Sequence, residues 1–169
     1  MTKVALKLKL KQFERKDFEN IFVVQKDPKS PISEAFRTLR TNIKFSSLDK
    51  PIKTLLITSP IPEAGKSSVS INLALTMAQD KYKVVLVDAD LRKPTIHKIF
   101  KQDNKTGLTN ILVGDKKIKD VMRKLTEIDP NLYFIPSGPI PPNPSELLGS
   151  NKMKAVSYTH LTLPTICSV

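Results

Sequence analysis

The apolar positions of this chain change period several times, and each change predicts an element. In KVALKLKLK, Val4, Leu6, Leu8 and Leu10 alternate with polar and cationic residues, the period-two pattern of a strand. That predicts an edge β-arm, or a basic arm that docks on an anionic membrane or partner. From Ser30 the period becomes helical. Ser30-Pro31 is a cap residue followed by proline at the first helical position. Phe36, Leu39 and Ile43 recur on one side, which should face a core. Glu34, Arg37, Thr41 and Lys44 fall opposite them, with Arg40 at the margin. Residues 54–58 are an apolar run that predicts a strand. A helix follows over about 66–78, with Val69, Leu73 and Met77 along one side and Ser70, Ala74 and Ala78 along another. Residues 83–87 form a second continuous apolar run, as in a buried parallel strand. Strand, helix and strand at this spacing make a βαβ unit.

Short helices are predicted near 95–100, from Gly107, and over 118–125, with Gly114-Asp115 separating the last two. Residues 132–136 are a third strand. Pro136, Pro139, Pro141, Pro142 and Pro144 impose an extended loop. Asn143 should end that loop by capping a helix with Pro144 at its first position and Glu146 at its third. Residues 157–169, SYTHLTLPTICSV, break from this pattern and carry no ionisable acid or base except His160. No internal repeat is visible.

A chain of 169 residues can bury one core, and its 40% hydrophobic and 26% charged content suits a soluble protein. The net charge of +12 points to an anionic partner such as a nucleotide, a nucleic acid or an acidic membrane. Exposed lysines that only keep the chain soluble give the same number. No apolar run approaches the roughly 20 residues that span a bilayer. The first 13 residues interleave lysine with apolar residues, unlike a secretory leader. The lone Cys167 excludes an internal disulfide and any multi-cysteine metal site. A cytoplasmic protein is expected.

The candidate chemistry lies at the ends of the two predicted strands. TSPIPEAGKSS meets the phosphate-loop pattern G-x-x-x-x-G-K-[ST] except at its first glycine position, which holds Pro60. Gly65 lets the backbone pass close to phosphate oxygens, and the following helix start aims free N–H groups at them. Lys66 would neutralise β/γ-phosphate charge, and Ser67 would ligate Mg²⁺ through its hydroxyl. The second strand runs into VVLVDADLRKP, with Asp88 and Asp90 at the edge where open parallel sheets bind ligands. Alternation along an extended segment would point both carboxylates the same way. A bland alternative is that these aspartates cap the next helix. Asp115, Asp120, Glu127 and Asp129 read as solvated, His97 as a surface or packing residue, and Tyr82 and Tyr133 as packing groups beside strands.

These residues, in this order, resemble the bacterial tyrosine kinases of capsular and exopolysaccharide synthesis, P-loop enzymes related to MinD/ParA ATPases. The resemblance runs over about 26–154. Glu34, Arg37 and Arg40 match the family's E-x-x-R-x-x-R helix, TSPIPEAGKSS its Walker A loop and VVLVDADLRKP its Walker A′ motif, while GLTNILVG and LYFIPSGPIPPNPSELL are similar to further segments. The resemblance implies a P-loop NTPase-like α/β fold, a parallel sheet flanked by helices. It implies ATP and Mg²⁺ as cofactors and transfer of the γ-phosphoryl group to a tyrosine hydroxyl, usually on a neighbouring copy. Pro62, Glu63, Ala64, Gly65, Lys66, Ser67 and Ser68 would bind the phosphates. Lys66, Asp88 and Asp90 would be catalytic, with Ser67, Asp88 and Asp90 at the metal. The two aspartates would share metal positioning and activation of the acceptor hydroxyl. Glu34, Arg37 and Arg40 would form subunit contacts in a homo-oligomeric ring.

The resemblance further implies a separate kinase chain at the inner face of the plasma membrane, switched on by a transmembrane adaptor of the polysaccharide co-polymerase type. No nucleic-acid partner is implied. Residues 1–28 are then a basic arm, 29–156 the N-terminal part of the kinase domain, and 157–169 a tail that looks like translated sequencing-adapter read-through. The family's Walker B strand, which lies between the P-loop and A′ strands, and its tyrosine cluster are missing from this pattern. An empty slot in the sheet, poor folding and inactivity of this chain are the expectation. A MinD/ParA-like ATPase switch cycling on membrane or DNA is the competing reading. A nucleic-acid binder would leave Lys66 and the aspartates unexplained, and the basic residues lack interleaved aromatics.

Overall fold

The structure is a computed structural model that describes residues 21–46, 52–156 and 165–168. The alternating segment around Val4 lies outside the described residues. A one-turn helix α1 (Val23–Lys26) precedes α2 (Pro31–Phe45), β1 (Thr54–Ile57), α3 (Lys66–Gln79) and β2 (Val84–Asp88). Then come α4 (Ile96–Ile99), α5 (Leu108–Val113), α6 (Ile118–Val121), β3 (Arg123–Lys124) and β4 (Leu132–Ile135), followed by α7 (Pro144–Leu148), α8 (Asn151–Ala155) and β5 (Thr165–Ser168). The sheet order is β1-β5-β2-β4-β3, parallel throughout except for the β3–β4 pair. This is the expected α/β architecture.

The empty slot is overturned. Thr165–Ser168 occupies the position between β1 and β2, pairing Ile166 with Leu55 on one side and with Leu86 on the other. All four of its residues are buried. An uncharged run is what a strand covered on both faces requires.

The sheet has a core on each face. Strand alternation sends Val84 and Leu86 of β2 to one side with Leu132, Phe134 and Ile166, where they meet Ile71, Leu75 and Ala78 of α3. Val85 and Val87 go to the other side with Ile135 and Cys167, where they meet Leu108, Leu112 and Val156. β1 sits at the sheet margin with β5 as its strand partner among the described residues. Its Leu55 and Ile57 join the first core, whereas Leu56 points away from it and is 60% exposed.

Several local expectations shift. Ser30 caps α2 as read, its hydroxyl accepting from Ser33 N at 3.2 Å. Phe36 and Ile43 pack on the first core, but Leu39 stays exposed, so the contact stripe is narrower than the apolar pattern. Arg40 instead turns inward, donating to Thr76 O at 3.1 Å and lying 3.8 Å from Asp80. Within the stretch assigned to the basic arm lies α1, where Asn72 of α3 accepts from Val24 N and donates to Ile21 O. The helix predicted over 118–125 stops at Val121. A single turn has little stability of its own, and Arg123 and Lys124 instead take the margin of β4. Asn143 precedes α7 but makes no backbone cap, and its amide donates to Glu146 Oε2 at 2.7 Å. Gly107 is required by close approach: a Cβ there would land on Pro136 O and Gly138 N. That contact fixes α5 against the exit of β4, where Leu108 N donates to Pro136 O at 2.8 Å.

Candidate functional site

The two candidate motifs leave adjacent parts of the same sheet rim. β1 runs into the loop 58–65 and β2 into 89–95, and both line one cleft of about 780 Å³. The first loop is bent by two residues of positive φ, Glu63 at 57° and Gly65 at 83°. Such bends gather backbone N–H groups into an anion-binding concavity. Gly65 is also the N-cap of α3 and offers no side chain, leaving the helix's first N–H groups to a ligand. Pro62, Glu63 and Ala64 are exposed on the cleft, and Lys66, Ser67 and Ser68 are half-buried along it. Pro60, at the position a glycine usually holds, also lines the cleft and leaves the Gly65 turn intact.

The aspartates are not presented as a matched pair. β2 ends at Asp88, so the alternation that would have aligned them stops there. Asp90 lines the cleft, and its Oδ1 accepts from Arg92 N at 3.2 Å and Lys93 N at 2.9 Å. Asp88 lies behind it, 1% exposed, with Oδ1 3.3 Å from Asp90 N and Oδ2 3.1 Å from Ile96 N. Both carboxylates thus order the loop that follows, and Asp88 alone reaches the first N–H of the next helix.

Burial pushes the Asp88 carboxyl up from its ordinary 3.8 to about 7, aided by the charge of Asp90 and opposed by the N–H bonds from Ile96 and Asp90. No ion pair reaches it among the described residues. Between pH 4 and 7 the folded chain holds a proton that the unfolded chain has released, so stability falls as pH rises through that window. A shift of this size is on the order of 2–4 kcal/mol. Without nucleotide or metal, thermal melts from pH 5 to 8 should show Tm declining, and Asp88→Asn should flatten the decline. An unchanged slope in the variant would show that Asp88 does not carry it.

The Ser67 hydroxyl and the Asp90 carboxylate line the cleft beside the phosphate loop as hard oxygen donors, with the Asp88 carboxylate buried behind them. They fit Mg²⁺, which takes few protein ligands and completes its shell with phosphates and water. Among the described residues no group of three or more His, Cys, Asp and Glu could hold a metal without such help. His97 is half-buried in α4 with Nδ1 unpartnered, and burial lowers its pKa.

Several cleft residues escaped the sequence reading, Ile21, Ser145 and Thr95 among them. Ile21 arrives from the segment before α1, and Ser145 from α7, where Arg92 Nη2 donates to its Oγ at 2.8 Å. Thr95 stands with its Oγ1 3.3 Å from Ser67 Oγ. Thr95 stands at the start of a short helix and Ser145 within the quoted LYFIPSGPIPPNPSELL segment, but neither pattern points to a cleft.

The fold and cleft define a P-loop nucleotide-binding protein. The model of the AAA domain family matches residues 63–152, more than half of the chain, and the chain belongs to that family. Curated proteins that it matches are named as tyrosine-protein kinases, in agreement with the motif resemblance. It is 46% identical over 136 residues to the tyrosine-protein kinase YwqD of Bacillus subtilis (strain 168), covering 80% of this chain and 56% of that protein. It is 45% identical over 133 residues to the putative tyrosine-protein kinase CapB of Staphylococcus aureus, covering 79% of this chain and 58% of that protein. The crystal structure of the chimerical protein CapA2B2 superposes with a TM-score of 0.79 at 42% identity, covering 88% of this chain and 65% of that one. The chain therefore spans little more than half the length of these two curated relatives. Among the described residues no helix is long and apolar enough to cross a membrane.

Proposed function

We propose that this chain is the nucleotide-binding part of an ATP-dependent protein-tyrosine kinase that regulates capsular or exopolysaccharide synthesis and export. The observation that carries this reading is the meeting of the Lys66 loop and the Asp90 wall in one cleft. The backbone of Pro62 to Gly65, with Ser68, cradles the phosphates, and Lys66 offsets their charge. Ser67, Asp88 and Asp90 would hold Mg²⁺, which would supply further charge neutralisation. In the transfer, the bond from the γ-phosphorus to the β-bridging oxygen breaks and a bond to the tyrosine oxygen forms. The phenolic proton passes to the acid pair, of which Asp90 lines the cleft.

Glu34 and Arg37 form an exposed ion pair of 2.8 Å on α2, a surface suited to a neighbouring copy. Arg40 serves that surface by fixing α2 to α3. Assembly into a ring would present one subunit's tyrosines to the next subunit's cleft, and a transmembrane adaptor would hold the ring at the membrane's inner face. The complete gene product, of which this chain is read as the N-terminal part, tests the assignment. Incubated with γ-labelled ATP and Mg²⁺, it should acquire label on tyrosine. Release of free phosphate with no labelled tyrosine would replace the kinase with a MinD/ParA-like ATPase switch.

A further inference from the structure

Thr95 is the N-cap of α4, yet its side chain makes no capping hydrogen bond. A threonine at that position ordinarily turns its oxygen to an N–H of the first helical turn. Here Oγ1 instead meets Ser67 Oγ, 3.3 Å away on α3 and 28 residues distant in sequence. The next peptide N–H, that of Ile96, donates to Asp88 Oδ2 at 3.1 Å. One short stretch therefore touches both the serine of the phosphate loop and the buried acid at the end of β2. Thr95 itself is exposed and lines the cleft, so its hydroxyl is not there to satisfy a core.

We propose that Thr95 is a positioning residue for the divalent cation of the nucleotide site. It orients the Ser67 hydroxyl and keeps it in register with Asp88. This rests on the nucleotide-site reading above. A serine hydroxyl rotates freely about its Cβ–Oγ bond and can present either a lone pair or its hydrogen to the cleft. When Thr95 Oγ1 accepts the Ser67 hydrogen, the lone pairs of Ser67 are left for a cation.

The test compares Thr95→Val, which keeps shape and loses the hydroxyl, with Thr95→Ser, which keeps the hydroxyl. A fluorescent ATP analogue is titrated into the full chain in EDTA and then across a Mg²⁺ series. Loss of one neutral hydrogen bond predicts that Thr95→Val needs roughly three- to tenfold more Mg²⁺ for half-maximal enhancement of binding. Its affinity in EDTA should stay within twofold of wild type, as should the Mg²⁺ requirement of Thr95→Ser, about the resolution of such titrations. Thermal melts of both variants should match wild type, since the residue is exposed. An unchanged Mg²⁺ requirement in Thr95→Val would overturn the proposal. So would an equal shift in Thr95→Ser, or an equal loss in EDTA. If wild type binds no analogue with or without Mg²⁺, the nucleotide-site reading itself fails. If wild type binds and Thr95→Val behaves identically, only the role of Thr95 fails.

Discussion

Replacing Lys66 with alanine should weaken ATP binding by roughly 30- to 150-fold while leaving the fold intact. The magnitude is that of a charge-assisted hydrogen bond between an ammonium and a phosphate. Hydrogen bonds to charged groups contribute about 2–3 kcal/mol, more than neutral ones, and that range converts to the quoted factor. Lys66 is the first residue of α3, half-buried on the cleft and outside both apolar cores. Its ammonium contributes little to packing, and alanine is a better helix former than lysine. Binding and stability should therefore separate. Calorimetric titration with ATP–Mg²⁺ reads the first, and a thermal melt without ligand reads the second. Binding within threefold of wild type would mean that the lysine does not face the phosphates, and the kinase assignment would lose its main support.

Ile166→Asp should abolish cooperative unfolding altogether. Ile166 is 1% exposed and lies in the first core, between the backbones of β1 and β2. An aspartate there loses the transfer energy of the isoleucine and places a carboxylate among side chains with no cation to offer. Shortening a buried isoleucine alone costs about 2–5 kcal/mol. The unpaired carboxylate adds several more, or forces protonation at a similar cost. The sum is comparable to the roughly 5–15 kcal/mol that holds a domain folded. The expected result is loss of the near-ultraviolet circular dichroism and of a sharp melting transition. Leu56→Asp is the control, because that side chain is 60% exposed on β1 and should cost no more than about 0.5 kcal/mol. If Ile166→Asp melts like the parent, Thr165–Ser168 is not a central strand.

The β1–α3–β2 unit was legible because its signals are continuous. Two apolar runs flank a helix, and Gly65-Lys66-Ser67 sits at their junction. The two-residue strand Arg123–Lys124 was not legible, because a polar pair at a sheet margin has no periodicity to read. Thr165–Ser168 was not read as a strand, because its lack of charge looks like foreign composition, and the same lack of charge suits a strand enclosed on both sides. Leu39 shows how a stripe can be wider than the neighbour available to cover it. The aspartates show how alternation misleads once a strand has ended. Ile21 and Ser145 reach the cleft from distant segments, so no local pattern could have paired them with Lys66.

The position of Thr165–Ser168 also bears on how the molecule is made. β1 and β2 leave the ribosome early and are joined by α3, yet they cannot touch, since the strand that bridges them is synthesised long after both. Until it arrives, a nascent chain holds a gap with unpaired amides on either flank. Any extended stretch of polypeptide can enter such a gap. Correct assembly then depends on that seam staying vacant until its own occupant emerges, which makes translation speed and chaperone cover part of the physics of this fold.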